Sequence, residues 1–197
     1  MTKLTRESLW SLEEYSNRRN DFRTEVMAHK KDRQLNLGEH VRLLFEDEKT
    51  IRYQVQEMLR IEKVFDAEGI QDELDAYNPL IPDGSNWKAT MMIEYHDVDE
   101  RKRQLARLIG IEDTVWLQVE GYAKVHPICN EDLERSTDEK TSSVHFMRFE
   151  LSADMVSAAR SGAAIMAGID HDNYRVESFE IPEATRHSLV SDLSEVH

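Results

Sequence analysis

Cysteine is almost absent from this chain, because Cys129 is the only one among its 197 residues. A single thiol cannot form an internal disulfide, a CxxC redox pair or a thiolate-ligated iron–sulfur site. This cysteine usage is typical of a reducing compartment, so we expect the protein to be cytoplasmic. His126 precedes Cys129 by three residues, but the proline and isoleucine between them make the pair a poor candidate for a catalytic dyad.

Excess positive charge and long apolar runs are also missing. Lys and Arg total 25 against 39 Asp and Glu, which gives a formal net charge of −14. This much negative charge argues against a nucleic-acid backbone or an anionic membrane surface as the main partner. No apolar run approaches the ~20 residues that a transmembrane helix needs. The charge is compatible with cations, with basic protein partners or with solubility alone.

Motifs of well-known catalytic chemistry are absent as well. The chain has no ExxH pair, which argues against a ferritin-like di-iron site, and no HExxH, GxSxG, GxGxxG or P-loop motif. Any activity must therefore come from side chains that only the fold brings together.

The order of predicted elements is typical of an α+β protein. Short helices are predicted over 5–16 and 20–32, a long helix over 48–66, and another helix from Ser152 that ends before Gly168. Strands are predicted at 41–45, 88–95, 114–121, 122–128, 144–151 and 175–181. These strands are joined sometimes by a hairpin and sometimes by a helix, which favours a mixed or largely antiparallel sheet of about five to six strands covered by helices. We expect a single domain over 1–197, with an N-terminal helical segment over 1–37 and an α+β body over 38–197.

The long helix carries a carboxylate where apolar side chains are expected. At about 100° per residue, one broad arc contains Glu62 near its middle and Gln54 inside its edge. The apolar members of that arc are Ile51, Val55, Met58, Leu59, Ile61 and Phe65. A buried carboxylate costs several kcal/mol unless it is paired, hydrogen-bonded or protonated. Glu62 is therefore either half of a satisfied ion pair with an arginine, or a metal ligand or acid–base group with a raised pKa.

A histidine lies on the apolar face of the strand 144–151. His145 shares that face with Met147, Phe149 and Leu151. Such a histidine is ordinarily a core residue bonded to a carbonyl, whereas a buried carboxylate beside it would favour a functional role. Glu94 and Glu120 lie on the mixed faces of two other strands, and they would converge in a half-buried pocket only if a helix covers those faces.

Several stretches together resemble a bacterial family known as domain of unknown function 3501. They are IRYQVQEMLRIEKVFDAEGIQDELDAYNPLIPDGSNWKATMMIEY over 51–95, with LTRESLWSLEEY, AHKKDRQLNLG and EKTSSVHFMRFEL. His96 departs from the family pattern, which has proline there, so it is not counted as a site residue. Members are often encoded beside rubrerythrin-like and iron–sulfur proteins. The resemblance thus implies a place in redox or peroxide metabolism and a redox protein as partner.

Three functions remain open from the sequence. The first is an accessory protein that binds a divalent metal or small ligand through Glu62 and His145, supported by Glu57, Glu94 and Glu120; iron, manganese and zinc all accept such ligands. The second is a small enzyme with an acid–base pair in the same pocket. Its anionic substrate would be bound by Arg52, Gln54, Arg60 or Arg148. The third is an interaction module with an exposed apolar patch, and a homo-oligomer is compatible with all three.

Overall fold

The computed structural model of the chain describes residues 3–194, which fold into two antiparallel sheets and seven α-helices. The strands are β1 (Gln34–Leu37), β2 (Val41–Glu46), β3 (Asn86–Ile93), β4 (Val115–Val119), β5 (Ile128–Cys129), β6 (Val144–Glu150), β7 (Ile165–His171) and β8 (Tyr174–Glu180). The helices are α1 (Leu12–Lys31), α2 (Glu48–Glu62), α3 (Ala67–Tyr77), α4 (Val98–Arg107), α5 (Ile111–Thr114), α6 (Ala153–Arg160) and α7 (Glu183–Val190). Single 3₁₀ turns occupy Arg6–Ser8 and Asn78–Leu80.

The strands are divided between a large and a small sheet. The large sheet has the order β1-β2-β3-β6-β5, and the small sheet has the order β4-β7-β8. Every neighbouring pair is antiparallel. The predicted α+β class with largely antiparallel strands is therefore confirmed.

Both sheets turn one face toward the same hydrophobic core. In β3, Trp87, Ala89, Met91 and Ile93 are buried in that core, because alternate side chains of a strand point to the same side. Strands β4 and β7 of the small sheet contribute to the same cluster, as do α6 and α7. The predicted apolar faces of the strands at 88–95, 114–121 and 144–151 agree with this arrangement.

The outer face of the large sheet is partly covered by α2, α3 and the turn Asn78–Leu80. Leu44 and Glu46 of β2 point to this face, and each is only 8% exposed. Helices α2 and α3 form a second hydrophobic cluster with the N-terminal segment. Its buried members are Leu4, Ile51, Val55, Leu59, Leu74 and Ile81. The coverage is incomplete, which leaves an open cleft beside α3.

One continuous helix, α1, replaces the two helices predicted over 5–16 and 20–32. The Ser11 hydroxyl caps it by accepting a hydrogen bond from the Glu14 amide at 3.2 Å, and no Gly or Pro interrupts it. The predicted helical segment over 1–37 also contains a strand. Residues 34–37 form β1, which pairs with β2 in the large sheet.

Strand β7 occupies residues that were predicted to continue the helix before Gly168. Helix α6 ends early because Gly162 adopts a left-handed conformation with φ of 101°, which L side chains rarely adopt. The Ala163 amide donates to the Ala158 carbonyl at 3.0 Å, a bond that closes a helix C-terminus. The alanine-rich stretch after this point therefore enters the small sheet.

None of the helices within residues 3–194 is long and apolar enough to cross a lipid bilayer.

Candidate functional site

His145 is completely buried on the inner face of β6 and is hydrogen-bonded at both ring nitrogens. The Asn130 side-chain amide donates to Nδ1 at 3.0 Å. Asn130 Oδ1 in turn accepts from the Phe146 amide at 3.3 Å, which fixes the orientation of that side chain. Nε2 lies 3.0 Å from the Ser142 carbonyl and 2.9 Å from the Thr141 hydroxyl. These partners favour a neutral imidazole that carries its proton on Nε2.

The carboxylate beside His145 is Glu112 of α5. Its Oε1 lies 3.7 Å from Nδ1 of the imidazole, and its side chain is 7% exposed. Ser136 donates to Glu112 Oε1 at 2.6 Å, and the Ser136 and Thr141 hydroxyls are 2.9 Å apart. Burial lowers the pKa of His145, while the charge of Glu112 acts in the opposite direction. A chain of hydrogen bonds therefore connects His145 through two hydroxyls to Glu112. We call this group of residues the His145 cluster.

The centre of the His145 cluster is closed to solvent, whereas Glu112, Asn130 and Ser136 also line an open pocket of about 490 Å³. Thr141 and His145 are at most 1% exposed, so a substrate cannot contact them directly. Cys129 lies at its edge, and burial raises the pKa of this thiol to about 12, which keeps it protonated and unreactive at neutral pH. The cluster therefore holds residues 130–142 against β6, and its geometry is that of a satisfied buried network.

Glu62 does not take part in this network, so the predicted pairing of Glu62 with His145 is wrong. Glu62 is the exposed last residue of α2, which ends at Lys63 in a left-handed conformation. Ile61 is 59% exposed and Phe65 is 80% exposed, so the predicted apolar arc extends beyond the packed part of the helix. Periodicity shows which side of a helix is apolar, but it does not show where the neighbouring structure stops.

Glu57 forms an ion pair that joins α2 to α1. Arg19 contacts both of its oxygens, at 2.7 and 3.1 Å, and the Tyr15 hydroxyl donates to it at 2.7 Å. These bonds, with the one from Arg60, lower the pKa of Glu57 to about 2, and the Arg19 contact has the largest effect. Glu57 and Arg60 thus serve the packing of the two helices and have no contact with His145.

The remaining predicted residues are dispersed. Glu94 is paired with Arg42 on the large sheet, whereas Glu120 is exposed at the end of β4 in the small sheet. Arg52 is paired with Glu48 at 2.9 Å, four residues earlier in α2. Gln54 is partly buried on the same helix. Within residues 3–194, no three His, Cys, Asp or Glu side chains are grouped so that they could hold a metal ion.

A second buried polar cluster surrounds Arg33, which was not among the predicted residues. Arg33 is fully buried between α1 and β1, and its guanidinium donates to both Asp192 carboxylate oxygens, at 2.5 and 3.2 Å. It also donates to the carbonyl oxygens of Phe45 and Glu46. Burial raises the pKa of Asp192 to about 6, against the lowering effect of Arg33.

The same cluster continues into α1 and α2 through Asp47. This carboxylate lies 3.4 Å from Arg33 and 2.5 Å from Nε2 of His29. It also caps α2, since Asp47 Oδ1 accepts from the Thr50 amide at 2.9 Å. The Arg33 cluster therefore ties four separate parts of the chain together, and no spacing rule relates residues that are so far apart in sequence.

An open cleft of about 770 Å³ lies between the outer face of the large sheet and α3; we call it the sheet cleft. Strands β3 and β6 supply Lys88, Phe146 and Arg148, and the segment 75–81 supplies the opposite side. Lys3, Asp83, Ile128, Glu131 and Asp132 also line it. This is the place where a predicted ligand-binding residue, Arg148, faces open space.

Arg148 is already neutralised within the sheet cleft. Glu131 accepts two hydrogen bonds from its guanidinium, at 2.9 and 2.8 Å, and Glu150 accepts a third at 2.5 Å. The bonds raise the pKa of Arg148, the contact with Glu131 most of all. Arg148 thus forms part of the rigid lining, with little capacity for a further anion.

Lys88 is a partly buried cation of the sheet cleft without such a partner, whereas Lys3, the other lysine of the lining, is exposed. Within residues 3–194 the Lys88 ammonium makes no hydrogen bond or ion pair. The acidic groups whose charge reaches it are Glu131, Asp83 and Glu150. Each of them accepts hydrogen bonds from other donors, from Arg148 or from Ser85. Burial lowers the pKa of Lys88, and Arg148, directly opposite on β6, acts in the same direction.

Fold and site together define an α+β protein that has the buried His145 cluster inside. The sheet cleft, which Lys88 lines, lies on the outer face of its large sheet. The chain belongs to the family described as "Protein of unknown function (DUF3501)", whose model matches residues 3–193. The family membership predicted from the sequence is therefore confirmed.

A solved structure closely resembles the chain over its length. It is the crystal structure of a novel protein of unknown function from Burkholderia pseudomallei K96243, at 1.90 Å resolution. That protein is 53% identical, with a TM-score of 0.94 over 98% of this chain and 100% of the other. A search of curated proteins found no match.

Proposed function

We propose that the protein binds a small organic molecule in the sheet cleft through an acceptor oxygen that contacts the Lys88 ammonium. The observation that carries the proposal is the Lys88 ammonium, which has no hydrogen-bond or ion-pair partner within residues 3–194 and lines a cleft of about 770 Å³. A cleft of this size lies within the range of about 300–1,000 Å³ that is usual for small-molecule sites.

The lining of the sheet cleft supports a ligand of mixed character. Leu80, Ile81 and Phe146 offer apolar surface for the body of the molecule, while Lys88 offers a partly buried charged donor. A charged donor beside an apolar surface fixes the orientation of a ligand. A carboxylate, sulfonate or carbonyl oxygen therefore suits the position beside Lys88.

The neighbouring carboxylates compete little with a ligand oxygen for the Lys88 ammonium. Arg148 already binds Glu131 and Glu150, and Ser85 donates to Asp83 at 2.9 Å. A ligand oxygen at Lys88 therefore meets an ammonium whose surrounding carboxylates are held elsewhere. A partly desolvated ammonium also forms a stronger hydrogen bond to an anion than an exposed one does.

The binding proposal is tested with 1-anilinonaphthalene-8-sulfonate, a fluorescent probe with an aromatic body and one sulfonate. We expect the Lys88→Met variant to raise the dissociation constant about tenfold, which corresponds to the loss of one charge-assisted hydrogen bond. Lys102→Met is the matched control, since Lys102 is exposed on α4 outside the cleft. Equal affinity in the wild type and Lys88→Met would show that the probe binds elsewhere and would remove the proposal.

The redox context implied by the family remains a separate prediction. A rubrerythrin-like or iron–sulfur partner would be detected by affinity purification from the native cell with the chain as bait. Recovery of no redox protein under reducing conditions would count against that partner. The sheet cleft and its ligand do not depend on the outcome.

A further inference from the structure

We infer that Lys88 reacts with aldehydes or ketones that bind in the sheet cleft and forms an imine with them. The inference rests on the proposed function, because the carbonyl compound must first occupy the cleft. It goes further in assigning Lys88 a covalent role and in naming the ligand class.

The position of Lys88 meets the first requirement, which is access to a bound carbonyl carbon. Its side chain lines the sheet cleft from the middle of β3, between Glu46 of β2 and Arg148 of β6 in the register of the sheet. The strand fixes the position of the Lys88 backbone at the sheet cleft, and the flexible four-carbon stem lets the amine reach a molecule bound there.

The surroundings of Lys88 meet the second requirement, which is an amine that loses its proton more readily than an exposed lysine does. The charges of Glu131, Asp83 and Glu150 favour the protonated ammonium, but none of these carboxylates forms an ion pair with it within residues 3–194. The guanidinium of Arg148 on the facing strand disfavours a second positive charge, and partial burial does the same. Lysines in such surroundings are the ones that serve as amine nucleophiles.

The chemical step needs no oxidant or further reactant. The ammonium first loses a proton to water, and the nitrogen lone pair then attacks the carbonyl carbon to form a carbinolamine. The carbon–oxygen bond breaks as the oxygen leaves with two protons as water, and a carbon–nitrogen double bond remains on Lys88. One carbonyl compound and one amine thus give one imine and one water molecule.

The test uses the unmodified protein with 4-formylbenzoate and sodium cyanoborohydride, which at pH 7 reduces an imine to a stable secondary amine but spares the free aldehyde. At pH 7 and limiting aldehyde, we expect Lys88 to be labelled about tenfold faster than Lys102, because it combines a binding cleft with a readily formed free amine. Peptide mass spectrometry of a time course gives both rates from one sample. Labelling of Lys88 no faster than that of Lys102 would overturn the inference.

Displacement of 1-anilinonaphthalene-8-sulfonate by 4-formylbenzoate separates the two proposals. Displacement without preferential labelling of Lys88 leaves ligand binding in place and removes imine formation. If 4-formylbenzoate neither displaces the probe nor labels Lys88 preferentially, both proposals are removed. Preferential labelling that 1-anilinonaphthalene-8-sulfonate suppresses at Lys88 but not at Lys102 supports the covalent role.

Discussion

Arg33 is the residue on which the interior depends most. Its guanidinium is completely buried and donates to Asp192, Ser188 and two carbonyl oxygens of β2. Every charged hydrogen of such a group needs an acceptor, because water cannot reach it. The contacts of Arg33 therefore determine how the end of α1, the end of β2 and the segment after α7 meet.

Arg33→Met is expected to lower the free energy of unfolding by about 3–5 kcal/mol, because it leaves the buried carboxylate of Asp192 without its cation. Urea denaturation followed by circular dichroism measures the change. Combining it with Asp192→Asn removes the unpaired charge, so the double variant is expected to be more stable than Arg33→Met alone. A double variant that is less stable than either single variant would contradict this account of the cluster.

At the level of elements, the ion pair between α1 and α2 makes the stability of the protein pH-dependent. Glu57 has a pKa of about 2 in the folded protein, below its ordinary value of 4.5. The folded state therefore binds fewer protons than the unfolded state between these values, so stability falls as the pH decreases from about 4.5 to 2.

We expect Glu57→Gln to destabilise the protein by about 2–3 kcal/mol at pH 7, which is less than the ~3.5 kcal/mol that corresponds to the lowered pKa, because water screens the partly exposed Arg19–Glu57 pair. The difference between wild type and variant should disappear as the pH approaches 2. Urea denaturation of both proteins across that range checks the expectation. Glu177→Gln is the control, because Glu177 forms an exposed pair with Arg175 and its loss should change little. A pH-independent difference for Glu57→Gln would rule out the ion pair as its cause.

The secondary-structure elements also show which parts of the candidate site could be predicted from the sequence and which could not. The face of β6 that carries His145 was predicted correctly, because strand periodicity is exact and the apolar residues beside it are large. Its acidic partner could not be predicted, because Glu112 lies in a four-residue helix and is linked to the cluster through Ser136, 24 residues later in the chain. Glu62 was chosen instead, since an apolar arc in α2 extends past the last packed turn.

On the scale of the whole molecule, the two sheets share one core and should unfold together. Buried side chains of β2, β3 and β6 belong to the same cluster as those of β4 and β7. Neither sheet can open without exposing apolar surface of the other, so cooperative unfolding is expected.

Native-state hydrogen exchange tests this expectation without any substitution. The slowest amides of β3 and β7 should report the same free energy of opening, equal to that of global unfolding. Helix α4, which buries none of its side chains, should exchange at much lower free energy. Distinct values for the two sheets would show two independently folding units and contradict the single domain predicted over 1–197.

The pairing of Arg33 with Asp192 joins residues 159 positions apart. Ribosomes synthesise chains from the N-terminus, so Arg33 emerges long before Asp192. Its guanidinium stays hydrated while the intervening strands are synthesised. A nascent chain interrupted before Ser188 would contain all the described strands but would lack Asp192, the carboxylate that accepts two hydrogen bonds from Arg33. The buried contacts of Arg33 are therefore completed only when translation is nearly finished. Prematurely terminated copies should be prime targets for proteolytic quality control.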